Sequence, residues 1–228
     1  MKAIVLSFDK HHAYCELSYR MYMNLWPNCP LSFRIPWNKK KPSFFHGKKN
    51  VELIHCNSSI FDTMNALLKD IGDNEWVYWC IDDRFPIFIN SAKMDDLYKK
   101  LNFFSDLDFV KPFAHPEAGA SMNNNIIDNF VYQNSKQEWG FYMHQFCKSK
   151  ILKKVFTSKD LQTIDDYHTK FVQYSRIKTA HAIEKYKGAI INLQTNDLIK
   201  FKEPCIDGQT TKDGFDFLEK LNIDHDLS

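Results

Sequence analysis

Short apolar runs alternate along the chain with segments that carry a single apolar face. Lys2–Leu6 is a short run with β-branched residues, and it predicts a buried first strand. In the segment after it, apolar residues recur at three- and four-residue steps, which predicts a helix that ends before Pro27. These apolar residues are Tyr14, Leu17, Met21 and Leu25. The chain therefore opens with a strand, a helix and then a second strand.

The same patterns predict the remaining elements. Strands are predicted at residues 31–35, 51–55, 76–81, 108–112, 139–143, 189–193 and 198–202. Helices are predicted after a cap at Asn57 or Ser58, and at residues 91–101, 148–156, 158–161, 165–176 and 215–221. Residues 121–134 are rich in asparagine without a clear period, so we predict a loop there. The alternation predicts an α/β fold with a mainly parallel central sheet covered by helices on both faces.

Length and composition narrow the class of protein. A chain of 228 residues with 44% hydrophobic content is long enough for one sizeable core, which predicts a single domain with a C-terminal extension. Its 30 basic and 28 acidic residues nearly balance, so the net charge argues against a nucleic-acid partner. The six cysteines form no CxxC pair, and the N-terminal apolar run is short. We therefore predict a protein of the reducing cytoplasm, with docking onto a membrane surface left open.

Two basic runs, at residues 39–41 and 48–49, flank a segment with aromatic residues. The pattern of cations and rings occurs in nucleic-acid surfaces, but no nucleic-acid motif accompanies it here. We interpret the segment as a solvated loop. If it binds a partner, an anionic glycan or a lipid headgroup fits better than a nucleic acid.

The strongest candidate for chemistry is Asp82-Asp83-Arg84, directly after the apolar run Trp76–Ile81. Ligands of open α/β sheets bind beyond the carboxyl ends of the strands, where these residues are predicted to lie. Carboxylate oxygens are hard ligands suited to Mg²⁺ or Mn²⁺, and a diphosphate completes such sites. The alternative is a turn in which aspartate caps the next segment and Arg84 pairs with its neighbour. No GxGxxG, GxxxxGK[ST] or GxSxG motif occurs, which removes support for dinucleotide, P-loop and serine-hydrolase sites.

Three segments carry a resemblance to a known family. They are Ile4-Val5-Leu6-Ser7, Leu25-Trp26-Pro27-Asn28-Cys29-Pro30 and Tyr78-Trp79-Cys80-Ile81-Asp82-Asp83-Arg84-Phe85. Through them the chain resembles bacterial polysaccharide-type glycosyltransferases of the GT-A fold, over roughly its first 110 residues and more weakly beyond. The resemblance implies a Rossmann-like nucleotide-sugar-binding half at residues 1–112. Residues 113–228 would then form the acceptor-side half and the C-terminal extension.

The resemblance also implies roles for individual residues. Asp83 is the expected principal ligand of Mn²⁺ or Mg²⁺, and Asp82 is its companion or a ribose contact. Ser7 and Asp9 are expected to face the nucleoside, and Arg84 belongs to the same donor site. The chain departs from the family pattern at Ile81, where an acidic residue is usual. This departure implies that the metal binds weakly or is dispensable.

A transfer that inverts the sugar needs a base for the acceptor hydroxyl, and similar enzymes supply it from a later helix. Asp165 and Asp166 are the candidates, although stabilisation of a helix N-terminus is an equal explanation for them. Glu138 is a weaker candidate for the base, and His181 is a candidate additional metal ligand from the C-terminal part. Most other histidines, including His144, are interpreted as surface or core residues.

These observations lead to a functional hypothesis. The chain is expected to be a metal-assisted glycosyltransferase that moves a sugar from a nucleotide-sugar donor to a glycan or lipid-linked acceptor, in surface polysaccharide or glycoconjugate synthesis. The alternative is a non-catalytic GT-A-like module that binds a nucleotide or a glycan.

Overall fold

The structure is a computed structural model of the chain. It describes residues 1–103, 107–112, 125–127, 130–134, 143–156, 159, 161–163, 166–167, 187–191, 198–202, 205–206, 209–210 and 212–220.

Strands and helices alternate through the first half of the chain. The strands are β1 (Lys2–Leu6), β2 (Ser32–Trp37), β3 (Val51–His55), β4 (Trp76–Ile81), β5 (Phe85–Ile89), β6 (Leu107–Lys111), β7 (Asn125–Ile127), β8 (Phe130–Asn134), β9 (Gln145–Lys148), β10 (Lys187–Ile191), β11 (Ile199–Lys202), β12 (Cys205–Ile206) and β13 (Gln209–Thr210). The helices are α1 (His12–Leu25), α2 (Ile60–Leu68), α3 (Ser91–Lys100), α4 (Ser149–Val155) and α5 (Lys212–Lys220). Short 3₁₀ turns occupy Asp9–His11 and Leu101–Phe103.

A mixed sheet forms the centre of the molecule. Within the described ranges it has nine strands, in the order β3-β2-β1-β4-β9-β6-β10-β8-β7. The pairings of β1 with β2, β1 with β4, β2 with β3 and β6 with β10 are parallel. Strand β9 lies antiparallel between β4 and β6, and β8 lies antiparallel between β10 and β7. Seven strands therefore run one way and two run the other, which confirms a mainly parallel α/β sheet.

The order of the strands reverses direction at β1. The chain runs outward from β1 to β2 and β3, then crosses back to β4 on the other side of β1. In open α/β sheets such a reversal leaves a crevice at the carboxyl ends of the two strands that flank it. In this protein that crevice lies between the ends of β1 and β4.

Helices cover both faces of the sheet, as the pattern predicts. Side chains of β1 alternate, since Ala3 and Val5 pack with α1 and α3 whereas Ile4 packs with α2 and α4. Every residue of β4 is buried, which explains its continuous apolar sequence. A smaller cluster joins Tyr14 and Leu17 of α1 to Phe85 of β5. The central strands are consequently rigid supports for whatever lies at their ends.

Most predicted elements are confirmed, and two predictions need correction. The loop predicted at residues 121–134 is wrong where β7 and β8 form, because β8 finds a partner in β10 that lies far along the sequence. The cap of α2 is Ser59, not Asn57 or Ser58; its hydroxyl accepts a hydrogen bond from the backbone N–H of Asp62. The strand predicted at 139–143 and most of the helices predicted at 158–161 and 165–176 lie outside the described residues.

Two further findings bear on the predicted setting of the chain. Cys15, Cys29, Cys56, Cys80 and Cys147 are free thiols. In the part of the chain that the structure describes, no helix is both long and apolar enough to cross a bilayer.

Candidate functional site

The crevice between β1 and β4 brings together residues that are far apart in the sequence. Leu6 and Ile81 are opposite each other as the last residues of the two parallel strands. Ser7 and Asp82, which follow them, therefore leave the sheet side by side. The acidic pair, Asp82 and Asp83, forms the turn that connects β4 to β5. The sequence-predicted position of this pair, at the end of a fully buried strand, is confirmed.

His11 closes the crevice against the acidic pair. Its Nδ1 atom lies 3.0 Å from Oδ2 of Asp82, whose side chain is mostly buried. Burial alone lowers the pKa of His11, but the hydrogen bond and the charge of Asp82, with a further contribution from Asp83, raise it above its ordinary value. The imidazole therefore carries positive charge more readily than a free histidine. His11 is the residue that links the first turn after β1 to the turn after β4.

Aromatic rings border His11 on two sides. The ring of Phe8 lies 4.1 Å from the His11 ring and 45% of that phenylalanine is exposed. On the other side Tyr14 meets His11 edge-on at 5.2 Å, and Tyr14 in turn stacks with Phe85 at 6.1 Å. His11 thus lies between aromatic rings on one side and the acidic pair on the other.

A buried chain of hydrogen bonds supports the turn from behind. Nε2 of His144 lies 2.8 Å from the carbonyl oxygen of Ile81, and its Nδ1 lies 2.7 Å from the hydroxyl of Tyr22. Because a carbonyl only accepts, Nε2 must carry the proton and donate it. The hydroxyl of Tyr22 then donates to Nδ1 and accepts from the hydroxyl of Tyr78, 3.0 Å away. The side chains of Tyr22, Tyr78 and His144 thus each have a hydrogen-bond partner within this buried network.

His144 stays neutral in this environment. Its side chain is completely buried, and burial lowers its pKa to about 3, with the positive charge of Arg84 acting in the same direction and the bond to Ile81 opposing it. The sequence left His144 as either a surface or a core residue, and the structure places it in the core. Arg84, predicted to bind the donor, accordingly places its charge close enough to act on His144.

Asp9 serves a neighbouring loop. Its carboxylate accepts backbone hydrogen bonds from Asn38, Lys39 and Lys40, at 2.8, 2.7 and 2.8 Å. Partial burial raises its pKa, but these three bonds together lower the pKa below its ordinary value. Asp9 is therefore an anionic clamp on the segment that follows β2. Its predicted contact with a nucleoside stays a prediction.

Ser7 lies at the floor of the crevice. It is buried, and its Oγ accepts a hydrogen bond from Sγ of Cys15 at 3.0 Å. A serine hydroxyl that accepts a hydrogen bond can also donate its own proton, so Ser7 can donate to a neighbouring group. The predicted nucleoside contact of Ser7 likewise stays a prediction.

Of the other predicted site residues, Asp166 is the one that the structure describes. Its Oδ2 accepts from the backbone N–H groups of Thr163 and Gln162, at 2.9 and 3.3 Å. These bonds, first that of Thr163, lower its pKa. This is the helix-start arrangement recognised as the alternative explanation. Asp165, Glu138 and His181 lie outside the described residues.

The turn after β4 provides the carboxylate oxygens of Asp82 and Asp83 as donors for a divalent ion. Within the described ranges no group of three or more His, Cys, Asp or Glu side chains is arranged to hold a metal. Mg²⁺ and Mn²⁺ are commonly held by one or two carboxylates together with the phosphates of a substrate. The acidic pair supplies that kind of donor set, so its chemistry fits an ion that arrives with a diphosphate.

Sequence reasoning missed the pairing of His11 with Asp82 and the support that His144 gives to Ile81. Partners 71 and 63 residues apart meet only because β1, β4 and β9 lie side by side. The two adjacent histidines after the first strand were a signal for the first contact. For the second contact the sequence contained no local signal.

Comparison with known proteins finds solved structures that are similar in part to the structure of this chain. No protein-family model and no curated protein matches the chain. Among solved structures, the galactosyltransferase LgtC in complex with donor and acceptor sugar analogues matches 75% of this chain and 70% of its own, at 12% identity and a TM-score of 0.43. The glycosyltransferase GlyE of Streptococcus pneumoniae TIGR4 matches 98% of this chain and 60% of its own, at 11% identity and a TM-score of 0.49.

A third likeness belongs to a different class of enzyme. A 4-diphosphocytidyl-2C-methyl-D-erythritol synthase from Anaerococcus prevotii DSM 20548 matches 97% of both chains, at 12% identity and a TM-score of 0.45. Each of these TM-scores is below 0.5, so the likenesses do not decide what this chain does.

Proposed function

We propose that this chain is a glycosyltransferase that binds a nucleotide-sugar in the crevice between β1 and β4. The observation that carries the proposal is the placement of the acidic pair, at the end of a buried strand and beside the point where the strand order reverses. His11 contacts Asp82 through a hydrogen bond. Carboxylates of this kind are the ligands that Mn²⁺ and Mg²⁺ take together with the phosphates of a substrate.

The proposed donor site uses the residues of the turn and its supports. Asp83, with Asp82, would hold Mn²⁺ or Mg²⁺, which when bound supplies positive charge for the departing diphosphate. His11 orients Asp82 by its hydrogen bond, and the ring of Phe8 packs against His11. His144 fixes the carbonyl of Ile81, so that the turn begins from a rigid position.

The remaining parts of the proposal concern the transfer itself. We propose a hexosyl donor, a glycan or lipid-linked acceptor, and a role in surface polysaccharide or glycoconjugate synthesis, as the sequence resemblance implies. We also propose a cytoplasmic location, as the cysteine pattern predicts. The base that receives the acceptor proton stays proposed at Asp165 or Asp166. The backbone bonds from Thr163 and Gln162 both go to Oδ2 of Asp166, so an acceptor hydroxyl would approach the other carboxylate oxygen.

A non-catalytic binding module is the second candidate function. Three observations favour it: Ile81 stands at the position of the usual acidic residue, Asp9 already accepts three backbone hydrogen bonds, and Asp82 is already paired with His11. A module of this kind binds a nucleotide or a glycan in the same crevice and releases no product.

The release of nucleoside diphosphate from a panel of nucleotide-sugars, with and without Mn²⁺, separates the two candidates. A transferase hydrolyses its donor slowly even when acceptor is absent, and we expect Asp83→Asn to abolish this release. Asp96→Asn, a change at an exposed carboxylate on α3, is the matched control and should release product at the wild-type rate. Binding without release identifies the module, and release that persists in Asp83→Asn excludes the proposed site.

A further inference from the structure

A surface beside the crevice carries a concentration of positive charge. The segment at residues 38–50, which we name the lysine loop, contains five lysines and no acidic residue. Lys39, Lys40, Lys41, Lys48 and Lys49 are all exposed. The chain as a whole has a net charge of only +2, so the residues outside this loop carry a net negative charge.

The lysine loop is held in one shape although it has no regular secondary structure. The carboxylate of Asp9 clamps three consecutive backbone N–H groups at its start, and the side chain of Asn38 donates to the carbonyl oxygen of Cys56. Phe45 anchors its middle, with 2% of its surface exposed. Gly47 makes the following turn with a φ of 76°, a conformation that favours glycine. The lysine side chains therefore project from a fixed scaffold.

None of the five lysines of this loop has a carboxylate partner among the described residues, whereas several other basic residues do, in the pairs Lys2–Glu52, Arg20–Glu16, Arg34–Asp70, Lys100–Asp96, Lys150–Asp108 and Lys153–Asp73. Lys69, Lys93 and Lys99 also lie outside these ion pairs but are spread over the surface, so the loop is set apart by having its exposed lysines together in one segment. The acidic residues that border the loop are already engaged. Asp9 accepts backbone hydrogen bonds, and Glu16 and Glu52 hold the basic residues named above.

Phe44, an aromatic residue of the loop, makes cation–π contacts with two basic side chains. Phe44 packs against Phe45, and the charged groups of Arg20 and Lys48 lie over its ring at 4.5 and 5.0 Å. Rings used in this way are not available as a platform for stacked bases, which single-stranded nucleic acids require. What the loop presents outward is a set of ammonium groups, which attract anionic surfaces without demanding a fixed geometry.

We propose that the lysine loop docks the chain onto an anionic lipid surface. A plane of anionic headgroups suits ammonium groups on a rigid loop, because each lysine gains from the negative surface potential without a dedicated pocket. Asp9 clamps the loop and opens the 3₁₀ turn whose last residue, His11, contacts Asp82. Docking through the loop therefore brings the edge of the sheet that holds the crevice close to the headgroups.

Sedimentation with lipid vesicles tests this proposal. The purified chain is mixed with vesicles of phosphatidylcholine alone, or of phosphatidylcholine with phosphatidylglycerol, at low and at high salt. The variant Lys39→Gln/Lys40→Gln/Lys41→Gln leaves the backbone bonds to Asp9 intact. The variant Lys69→Gln/Lys93→Gln/Lys99→Gln removes the same charge from exposed lysines elsewhere and is the matched control.

The expected result is binding to the anionic vesicles only, which weakens as salt is raised. The loop variant should bind on the order of 100-fold more weakly, since each lysine near such a surface contributes about fivefold. The control variant should bind like the wild type. An equal loss in both variants, or no binding to anionic vesicles, overturns the proposal. Loop-dependent binding of a single-stranded RNA that exceeds binding to the vesicles also overturns it.

Discussion

Nε2 of His144 lies 2.8 Å from the carbonyl oxygen of Ile81, one residue before the acidic pair. The two residues are 63 positions apart, and the contact exists because β9 is paired with β4. A neutral, completely buried imidazole thus fixes the backbone at the point where the chain leaves the sheet for the candidate site.

The low pKa of His144 predicts a specific acid sensitivity. The pKa of His144 is about 3 in the folded chain, below the ordinary 6.5. Between these two pH values the unfolded chain therefore binds a proton at this histidine and the folded chain does not. The stabilisation is complete above about pH 6.5 and is lost as the pH falls toward 3, by up to about 1.4 kcal/mol per pH unit. His144→Gln, whose amide can still donate to Ile81, should show a flatter decline in the free energy of unfolding below pH 6.5.

Chemical denaturation at a series of pH values checks this slope. His46→Gln, at an exposed histidine, is the matched control. The assignment of the slope to His144 is wrong if His144→Gln and wild type decline in parallel, or if His46→Gln flattens the profile by the same amount.

The central place of Tyr22 in the buried hydrogen-bond network predicts unequal costs for two similar substitutions. Tyr22→Phe removes the donor to His144 and the acceptor for Tyr78, so it should lower the free energy of unfolding by about 2–4 kcal/mol. Tyr78→Phe removes a single donated bond and should cost about 1 kcal/mol.

Equilibrium unfolding of both single variants and of the double variant measures this difference. We expect the double variant to cost less than the sum of the two, because the groups share one network. Equal single costs, or strict additivity, would contradict the central place of Tyr22 in this network.

The clamp at Asp9 predicts where the chain loosens when that charge is removed. Asp9→Asn replaces one acceptor oxygen by a donor, so in either orientation of the amide its NH2 faces at least one of the three backbone N–H groups that Asp9 now binds. Hydrogen exchange at residues 38–40 should accelerate by on the order of tenfold or more, because bonds to a charged acceptor are lost. Asp96→Asn should leave exchange in this segment unchanged. Unaltered exchange in Asp9→Asn would show that other contacts hold the loop.

The cap of α2 offers a test that is independent of the crevice. Ser59 accepts a hydrogen bond from the N–H of Asp62 at 3.0 Å, so Ser59→Ala should destabilise the chain by about 1 kcal/mol. The neighbouring Ser58 is exposed and serves as the control, with Ser58→Ala expected to have little effect. Thermal unfolding of the two variants decides which serine caps the helix.

The sequence predicts the elements well where the signal is local. Continuous apolar sequence identifies β4, and helical spacing identifies α1, because burial on two faces or on one face leaves those patterns. The insertion of β9 between β4 and β6 has no such signature, since any apolar run suits either direction of pairing. The asparagine-rich segment misleads for a different reason: Phe130-Val131-Tyr132 of β8 has strand propensity of its own, but the asparagines around it concealed that short run.

The candidate site likewise contains residues that the sequence locates and residues that it does not. Asp82 and Asp83 could be located from the sequence because charges that follow an apolar strand are conspicuous. The partners of Asp82 and of the Ile81 carbonyl, His11 and His144, depend on contacts between strands that the sequence does not specify. Asp9 shows the reverse case, in which a carboxylate placed in the right region is already used by the backbone of a loop.

Thermal unfolding in the presence of nucleoside diphosphates tests the central claim, that the crevice holds a nucleotide-sugar on the acidic pair. The chain is heated with each of a panel of nucleoside diphosphates and their sugars, with and without Mn²⁺, and every hit is repeated on Asp83→Ala. We predict that one base raises the midpoint of unfolding, that Mn²⁺ enlarges the shift, and that Asp83→Ala removes it. If no nucleotide shifts the midpoint, or if the shift survives unchanged in Asp83→Ala, the claim is contradicted.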